Sequence, residues 1–589
     1  MSDRRRARLI LAGLMLLGVV VFFVGDDWGL PKRGAGGPWS GAEIAAAGGA
    51  WRPDPHIAAD ADANPVTDRS RPIVLNETDA QRAEIIRRYR LFSAQPDEMV
   101  TFKALAGMKA NGFDPRMYQY GGLWIYPVGA MLKVAGACGL VTVRPDFGYY
   151  LDHPEEFGRF YVVARVYSGL WGLVGVWGVF ALVRRFSERL TVPATAAACF
   201  ILLPVVVNAA HEAKPHLAGA VLMILSVLAG VKYVETGGRK WAVVTGALCG
   251  AAVGMVLSAV VILVLIPVMD VVQWRVGRKD KGRQECLPHH VRRAVVATGV
   301  AVLVYCVTNP YVPINLVKDR AVVMANLGAL SQAKAIVGRE SEIGAVANAR
   351  RLIVDGASIV GGVIGVTGLL VLLFNQDWWR ENGRGRVVVM LLGAPAGLVL
   401  VQFVMLAGGK GGEFGRFAIL PDVALMISGV VLVTSLKAVR DWPGPVMASL
   451  VMLTGFQGGA YWAGFVEDAR GAEATRRVVA RRLDELWGRG ARTIGVRAEP
   501  APYCLPAVDV TKWTLILLPA DGELPQGAEA PDVMVWPVDE LERGGVVPGT
   551  PYARRGYVGE WPWVKTRISW ADKPFDVYAR RALAEDSPR

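Results

Sequence analysis

The sequence predicts a polytopic α-helical membrane protein with a large first external loop and a small α/β domain at its C-terminal end. Three observations carry this prediction. Of the 589 residues, 53% are hydrophobic, and the mean hydropathy of +0.33 is higher than a soluble multidomain protein needs. Apolar runs long enough to cross a bilayer recur over residues 1–465. After about residue 466 the pattern changes to short strand-like runs between turns.

The charge pattern fits a membrane protein and argues against nucleic-acid binding. Only 20% of the residues are charged, and the formal net charge is +13. The basic residues cluster in short segments beside apolar runs, as the positive-inside rule predicts, whereas a nucleic-acid-binding domain presents a basic patch or stripe. The six cysteines form no CxxC pair and show no ligand spacing, so neither a disulfide framework nor a zinc site is predicted.

The N-terminal stretch "MSDRRRARLILAGLMLLGVVVFFVG" places arginines before about 16 apolar residues. No small-residue cleavage site follows directly, so the sequence predicts an uncleaved first helix with its amino end in the cytoplasm. Residues 25–158 then form a large external loop that includes juxtamembrane helices. These features predict a multi-pass protein of the inner or plasma membrane of the cell.

Ten further apolar runs bring the predicted spans to eleven. They cover residues 161–183, 190–210, 217–234, 241–256, 258–274, 294–310, 352–374, 387–406, 418–436 and 445–465. The run at 121–141 is ambiguous because it contains Pro127 and Lys133. If it only dips into the external face, the basic loops "RRFSER" and "GGRK" lie in the cytoplasm, as the charge rule requires. We therefore interpret it as juxtamembrane or re-entrant, which places the C-terminal end outside.

The C-terminal region, residues 466–589, is predicted to be an external α/β domain that follows a transmembrane module of residues 1–465. "ATRRVVARRLDELWGRG" has helical spacing and ends with a glycine. "RTIGV", "WTLILLP" and "DVMVWP" are strand-like runs bounded by turn residues.

The stretch "AQPDEMVTFKALAGM", residues 94–108, contains two adjacent carboxylates, Asp97 and Glu98. A proline followed by acidic residues is typical of a helix N-terminus, and Met99 and Phe102 begin an apolar stripe behind it. A structural helix start is one interpretation. The other is a catalytic pair, because a juxtamembrane helix places such carboxylates at the boundary between water and lipid, where a lipid-linked substrate presents its head group.

Three other segments offer candidate residues. Tyr120 belongs to the aromatic run "YQYGGLWIYP", which is also typical of a membrane interface. Arg165 lies inside an apolar span, where an arginine must face protein, water or an anion. The loop "HEAKPH" places His211, Glu212, Lys214 and His216 between two spans and next to the first external loop, and its two histidines and glutamate are possible ligands of a divalent ion. A solvated loop is the alternative interpretation of this motif.

A glycine-rich external turn in "LAGGKGGEFGRFAILPDVAL" carries Lys410 and Arg416. It does not meet the Walker pattern G-x-x-x-x-G-K-[ST]. A glycine-rich turn with two cations is nevertheless suited to binding a phosphate group. A flexible surface loop is the alternative.

In their order along the chain, these motifs resemble the GT-C superfamily of integral-membrane glycosyltransferases, in particular the branch that contains protein O-mannosyltransferases and the lipid A aminoarabinose transferase. The motifs are "PDE" at 96–98, "YQYGGLWIYP" at 118–127, Arg165, "HEAKPH" at 211–216, "NPY" at 309–311 and "GRFAILP" at 415–421. The resemblance covers roughly residues 1–440 and depends on the order of the motifs.

The resemblance implies transfer of a monosaccharide from a polyprenyl-phosphate-linked donor to a hydroxyl acceptor on a protein, lipid or glycan of the cell envelope. It implies that Asp97, with Glu98 beside it, acts on the acceptor hydroxyl or helps to hold a divalent cation such as Mg²⁺ or Mn²⁺. The candidate metal ligands are Asp97, His211 and His216, the last of which stands where relatives carry an aspartate. The candidate groups for the donor and its phosphate are Tyr120, Arg165, Lys214, Lys410 and Arg416.

Two functions from other classes compete with this expectation. A multispan transporter or lipid flippase also needs many apolar helices, but the chain shows no internal repeat and few ionisable residues inside its spans. A structural subunit of an envelope assembly would make Asp97 and Glu98 dispensable for any reaction.

Overall fold

The computed structural model describes residues 2–48, 73–185, 187–280, 287–328, 345–375, 383–406, 415–436, 443–471, 475–487, 492–496, 505–518, 530–537, 552–558, 575–581 and 583. Within these residues, long apolar helices accompany a set of short helices and one six-stranded sheet. The α-helices are Asp3–Phe23, Gly41–Gly48, Asp79–Leu91, Met99–Gly107, Gly122–Ala137, Phe147–Asp152, Pro154–Val183, Thr191–Ile201, Pro204–Ala210, His216–Thr236, Arg239–Met255, Leu265–Asp280, Leu287–Thr308, Tyr311–Lys318, Ala345–Ala357, Ile359–Phe374, Gly383–Leu406, Ile419–Ser435, Pro443–Ala469 and Thr475–Trp487.

Six helices in the described part of the chain are long and apolar enough to cross a membrane, judged by length and composition. They lie at Asp3–Phe23, Pro154–Val183, His216–Thr236, Leu257–Arg275, His290–Thr308 and Gly383–Val404. A bent pair, Thr191–Ile201 and Pro204–Ala210, makes a seventh if it forms one span. These helices support the predicted multi-pass membrane protein, whereas eleven spans and the orientation of the ends stay predictions.

Two of the predicted spans are interrupted. The run at 190–210 bends by 56° between Ile201 and Pro204, because a proline cannot continue the hydrogen-bonding of the preceding helix. The run at 352–374 breaks at Ser358, which adopts a φ of 69° and begins the helix Ile359–Phe374. The segment predicted as juxtamembrane forms the helix Gly122–Ala137 of 16 residues, which is shorter than the about 20 residues of a typical span.

Close helix packing fixes the start of the first external loop. A Cβ atom added to Gly172 would lie 2.8 Å from the ring of Phe22, so only a glycine allows the first helix to approach the helix Pro154–Val183 this closely. The chain leaves the first helix beside Arg165 of that neighbour, and the Asp26 and Trp28 carbonyl oxygens accept hydrogen bonds from its guanidinium. The contact therefore packs the start of this loop against the helix Pro154–Val183.

The segment predicted as the first external loop has a defined fold in its described parts, residues 25–48 and 73–158. The helix Asp79–Leu91 begins with a capping box between Thr78 and Gln81. Near its end, the buried guanidinium of Arg90 donates hydrogen bonds to several backbone carbonyls. These acceptors are Ala35 and Leu151 (both 3.3 Å) and Gly37 and Trp39 (both 2.7 Å). One side chain therefore joins three parts of the loop.

The described sheet has the strand order β1-β3-β2-β4-β6-β5. The strands are β1 Ile73–Val74, β2 Thr493–Val496, β3 Thr514–Leu517, β4 Val533–Pro537, β5 Tyr552–Val558 and β6 Phe575–Arg580. The central strands β3, β2 and β4 are parallel, and the outer pairs are antiparallel. Strand β1 comes from the first external loop, which the sequence placed in a different domain from the sheet. Asn76 anchors this loop by donating to Val510 and Trp513 and accepting from the Leu515 amide.

Candidate active site at the first external loop

The two adjacent carboxylates lie on a 3-10 turn, Pro96–Glu98, which leads into the helix Met99–Gly107. Pro96 occupies the first position of the turn, where its missing N–H costs no hydrogen bond. The turn directs its two acids to different environments. The Glu98 side chain is completely buried, whereas 32% of the Asp97 side chain is exposed. The predicted helix start is therefore confirmed, and it places the two carboxylates in different environments.

Glu98 forms a buried bidentate ion pair with Arg165. The Arg165 Nε and Nη2 atoms donate to the two carboxylate oxygens at 2.9 and 2.7 Å. The carboxylate also accepts from Ser93 Oγ at 2.5 Å and from the Ala213 amide at 2.6 Å. The Arg165 guanidinium lies 4.8 Å from the ring centre of Trp28. This pair links the turn, the helix Pro154–Val183 and the loop "HEAKPH", so its geometry is that of a structural centre.

Asp97 instead bridges two cations with a single oxygen atom. Its Oδ2 atom lies 3.2 Å from Lys214 Nζ and 3.0 Å from Arg416 Nη2. Loss of solvation disfavours the charged carboxylate, but the nearby charges of Lys214 and Arg416 outweigh this effect and hold the pKa of Asp97 below its ordinary value. The carboxylate is therefore ionised, partly accessible and in contact with two groups that bind anions.

Lys214 is buried, with 1% of its side chain exposed, and has a second acidic neighbour. Glu212 Oε2 lies 3.5 Å from its Nζ atom, and Glu212 Oε1 accepts a hydrogen bond from Gln95 at 2.8 Å. Among the described residues, the contacts join the acids Asp97 and Glu212 to the cations Lys214 and Arg416, two formal charges of each sign. Nothing in the sequence singled out Gln95, whereas Glu212 belongs to the ionisable motif "HEAKPH", in which two histidines and this glutamate were possible metal ligands.

Aromatic rings border the cluster. The His216 ring lies edge-on to Tyr120 at 5.7 Å and to Phe417 at 4.7 Å, and the Arg416 guanidinium lies 5.2 Å from the Phe417 ring centre. Burial is the main cause that raises the pKa of Tyr120 above its ordinary value, so its phenol remains protonated. His216 Nδ1 makes no hydrogen bond within the described residues. An aromatic surface next to fixed cations suits a ligand that combines a sugar ring with a phosphate.

The three candidate metal ligands do not converge. His211 stacks on Phe465 at 4.1 Å, and its two ring nitrogens face the carbonyl oxygens of Val207 and Val24 at 2.9 and 3.3 Å. Asp97 is engaged by two cations, which repel a divalent ion. No group of three or more histidine, cysteine or acidic side chains suited to a metal occurs in the part of the chain that the structure describes. The described residues therefore do not fit a divalent cation at Asp97.

The structure also shows where the other predicted site residues lie. The structure brings together Asp97, Glu98, Tyr120, Arg165, Lys214, His216 and Arg416. Lys410 lies outside the described residues, a few positions before the 3-10 turn Gly415–Phe417 that carries Arg416. Asp26, which the sequence did not single out, is buried beside Arg165, and burial raises its pKa well above the ordinary value despite that cation.

No protein-family model and no curated protein sequence matches the chain. Several solved structures are similar to it. ArnT from Cupriavidus metallidurans, bound to undecaprenyl phosphate, is 14% identical with a TM-score of 0.38, and the match covers 85% of this chain and 97% of ArnT. The archaeal oligosaccharyltransferase AglB from Archaeoglobus fulgidus, in complex with an inhibitory peptide and a dolichol-phosphate, is 10% identical with a TM-score of 0.40, covering 92% and 70%. Both names fall within the superfamily that the sequence motifs resemble.

Proposed function

We propose that this protein transfers a monosaccharide from a polyprenyl-phosphate-linked donor to a hydroxyl acceptor on the external side of the membrane. The observation that supports this proposal most directly is the position of Asp97. A partly exposed, ionised carboxylate touches two cations at the end of an apolar helix bundle. A general base and a group that stabilises the leaving phosphate are two requirements of such a reaction.

In this proposal Asp97 is the general base. It accepts the proton of the acceptor hydroxyl while the acceptor oxygen forms a bond to the anomeric carbon. The bond between that carbon and the phosphate oxygen breaks, and the electron pair leaves with the phosphate. Lys214 and Arg416 stabilise the charge that develops on the departing phosphate, which therefore requires no strong acid. A direct displacement of this kind inverts the configuration at the anomeric carbon.

The other residues have supporting roles in the proposal. The buried pair Glu98–Arg165 holds the 3-10 turn and the loop "HEAKPH" in register, which fixes the distance between Asp97 and Lys214. The protonated phenol of Tyr120 and the ring of His216, which pack against each other beside the cations, contact the donor in this proposal. Glu98 and Arg165 are thus positioning residues, and Asp97 is the catalytic residue.

The proposal is tested with purified protein, a synthetic polyprenyl-phosphate sugar and a panel of hydroxyl acceptors, with the products identified by mass spectrometry. A covalent glycosylated product that requires Asp97 supports glycosyl transfer. Movement of the lipid across reconstituted vesicles without any covalent product would instead identify a flippase. Comparison of envelope glycans and glycoproteins from cells with and without this protein identifies the acceptor.

Loss of either cation should weaken use of the donor. We expect Lys214→Gln and Arg416→Gln each to raise the KM for the donor by roughly 10- to 100-fold, because a charge-assisted hydrogen bond contributes about 1.5–3 kcal/mol. The measurement is initial rate against donor concentration. Arg82→Gln is the matched control, since Arg82 forms an ion pair with Asp79 outside the site. Unchanged KM values in both site variants would contradict the assignment of the phosphate-binding pair.

Removal of divalent cations should have no effect on transfer. The described residues around Asp97 do not fit a divalent ion, so we expect equal rates before and after dialysis against EDTA. The rates are measured with the same donor in both samples. Loss of activity that Mg²⁺ or Mn²⁺ restores would show that groups outside the described residues complete a metal site.

A further inference from the structure

The arrangement of Asp97 has a consequence for the order of events at the site. Both cations contact the same carboxylate oxygen, at 3.2 Å from Lys214 and 3.0 Å from Arg416. These are the groups that the proposed function assigns to the donor phosphate. In the described structure the base and the phosphate-binding pair are therefore bound to each other.

Charge balance determines what happens when a phosphate arrives. Among the described residues, Asp97 and Glu212 neutralise Lys214 and Arg416 in formal charge, so a phosphodiester brings a further anion to these two cations. Glu212 accepts a hydrogen bond from Gln95, and only 9% of its side chain is exposed, whereas 32% of the Asp97 side chain is exposed. Asp97 is thus the anion that a phosphate at the exposed side displaces from the cations.

We propose that Asp97 and the donor phosphate compete for Lys214 and Arg416, so that donor binding releases the Asp97 carboxylate to act as a base. This inference rests on the proposed function and adds regulation of the same site. An ion-paired carboxylate is a poor proton acceptor, and a carboxylate that has lost its cations is a better one. The base is then active only when the donor is bound.

The reaction balances without any further reactant. The acceptor hydroxyl gives its proton to the released Asp97 carboxylate, its oxygen bonds to the anomeric carbon, and the phosphate leaves with the electrons of the broken bond. The leaving polyprenyl phosphate is a stronger base than the diester and lies at the same cations. It takes the proton from Asp97, and the carboxylate pairs with Lys214 and Arg416 again when the lipid product departs.

Competition predicts that removal of the carboxylate tightens lipid-phosphate binding. The test is the Kd of the intact, detergent-solubilised protein for farnesyl phosphate, measured by isothermal titration calorimetry. We expect Asp97→Asn to bind this probe roughly 3- to 10-fold more tightly than the natural protein, because the cations no longer pair with an internal anion. Asp97→Ala serves as a second variant in case the amide disturbs the turn. Asp79→Asn, which removes an exposed acid from a distant ion pair, should leave Kd unchanged.

The outcomes separate the two proposals. In one outcome, Lys214→Gln weakens the binding of farnesyl phosphate, but both Asp97 variants bind it as tightly as the natural protein or less tightly. This outcome overturns the competition and leaves the proposed function standing. If neither Lys214→Gln nor Arg416→Gln changes the Kd for farnesyl phosphate, both the competition and the proposed function are overturned. Farnesol and inorganic phosphate are the companion probes. If inorganic phosphate binds with an affinity comparable to that of farnesyl phosphate, the cations form a site for a free anion. That result would overturn the proposal that a lipid-linked phosphate competes with Asp97.

Discussion

Asp97→Asn is expected to lower the turnover number for glycosyl transfer by about 10²- to 10⁴-fold, the usual contribution of a positioned general base. Asparagine has the size of aspartate and can still accept a hydrogen bond from Lys214 or Arg416, but it cannot take a proton from the acceptor. The loss should therefore appear in kcat, and the KM for the donor should stay equal or fall. Single-turnover rates with saturating donor measure the effect.

Two controls make this result specific. Asp79→Asn removes an acid that forms only an exposed pair with Arg82 among the contacts described, so its turnover should match that of the natural protein. Thermal unfolding should show Asp97→Asn to be less destabilised than Glu98→Gln, since 32% of the Asp97 side chain is exposed and Lys214 keeps Glu212 as an acidic neighbour. Turnover by Asp97→Asn at the natural rate would exclude Asp97 as the base.

The sequence predicted most of the site residues but could not divide their roles. Asp97 and Glu98 are neighbours with the same chemistry, and a helix-start motif treats them alike. Their difference arises because Glu98 meets Arg165, 67 positions away, whereas Asp97 meets Lys214 and Arg416, which are 117 and 319 positions away. Contacts at these separations depend on helix packing, which no local pattern encodes.

The metal expectation shows the same dependence on tertiary structure. His211 and His216 are five positions apart in one short loop, and this spacing is compatible with shared ligation. The bend before Pro204 and the stacking of His211 on Phe465 turn that ring toward backbone carbonyls, while His216 packs between Tyr120 and Phe417. The two histidines are therefore close in sequence, but their rings do not both point to Asp97.

Secondary structure was predictable where the local pattern was long. The helix at Thr475–Trp487 and the strands at Thr493–Val496, Thr514–Leu517 and Val533–Pro537 fall within the predicted runs. Strand β1 has only two residues, which is too short for an alternating pattern to be visible, and its pairing with β3 depends on the buried amide of Asn76. The sheet thus joins the first external loop to the C-terminal region in a way that neither segment predicts alone.

The buried pair Glu98–Arg165 should dominate the stability of the external loop. We expect Glu98→Gln to lower the free energy of unfolding by about 3–5 kcal/mol, because the Arg165 guanidinium cannot lose its charge and would stay buried without a counter-ion. Thermal unfolding in detergent, followed by scanning fluorimetry, provides the comparison.

The double variant Glu98→Gln with Arg165→Met removes both charges and should be less destabilised than Glu98→Gln alone. Arg82→Gln breaks an exposed pair and should change stability by less than about 1 kcal/mol. If Glu98→Gln unfolds like Arg82→Gln, the pair does not fix the turn, and the distance between Asp97 and Lys214 must be set by other contacts.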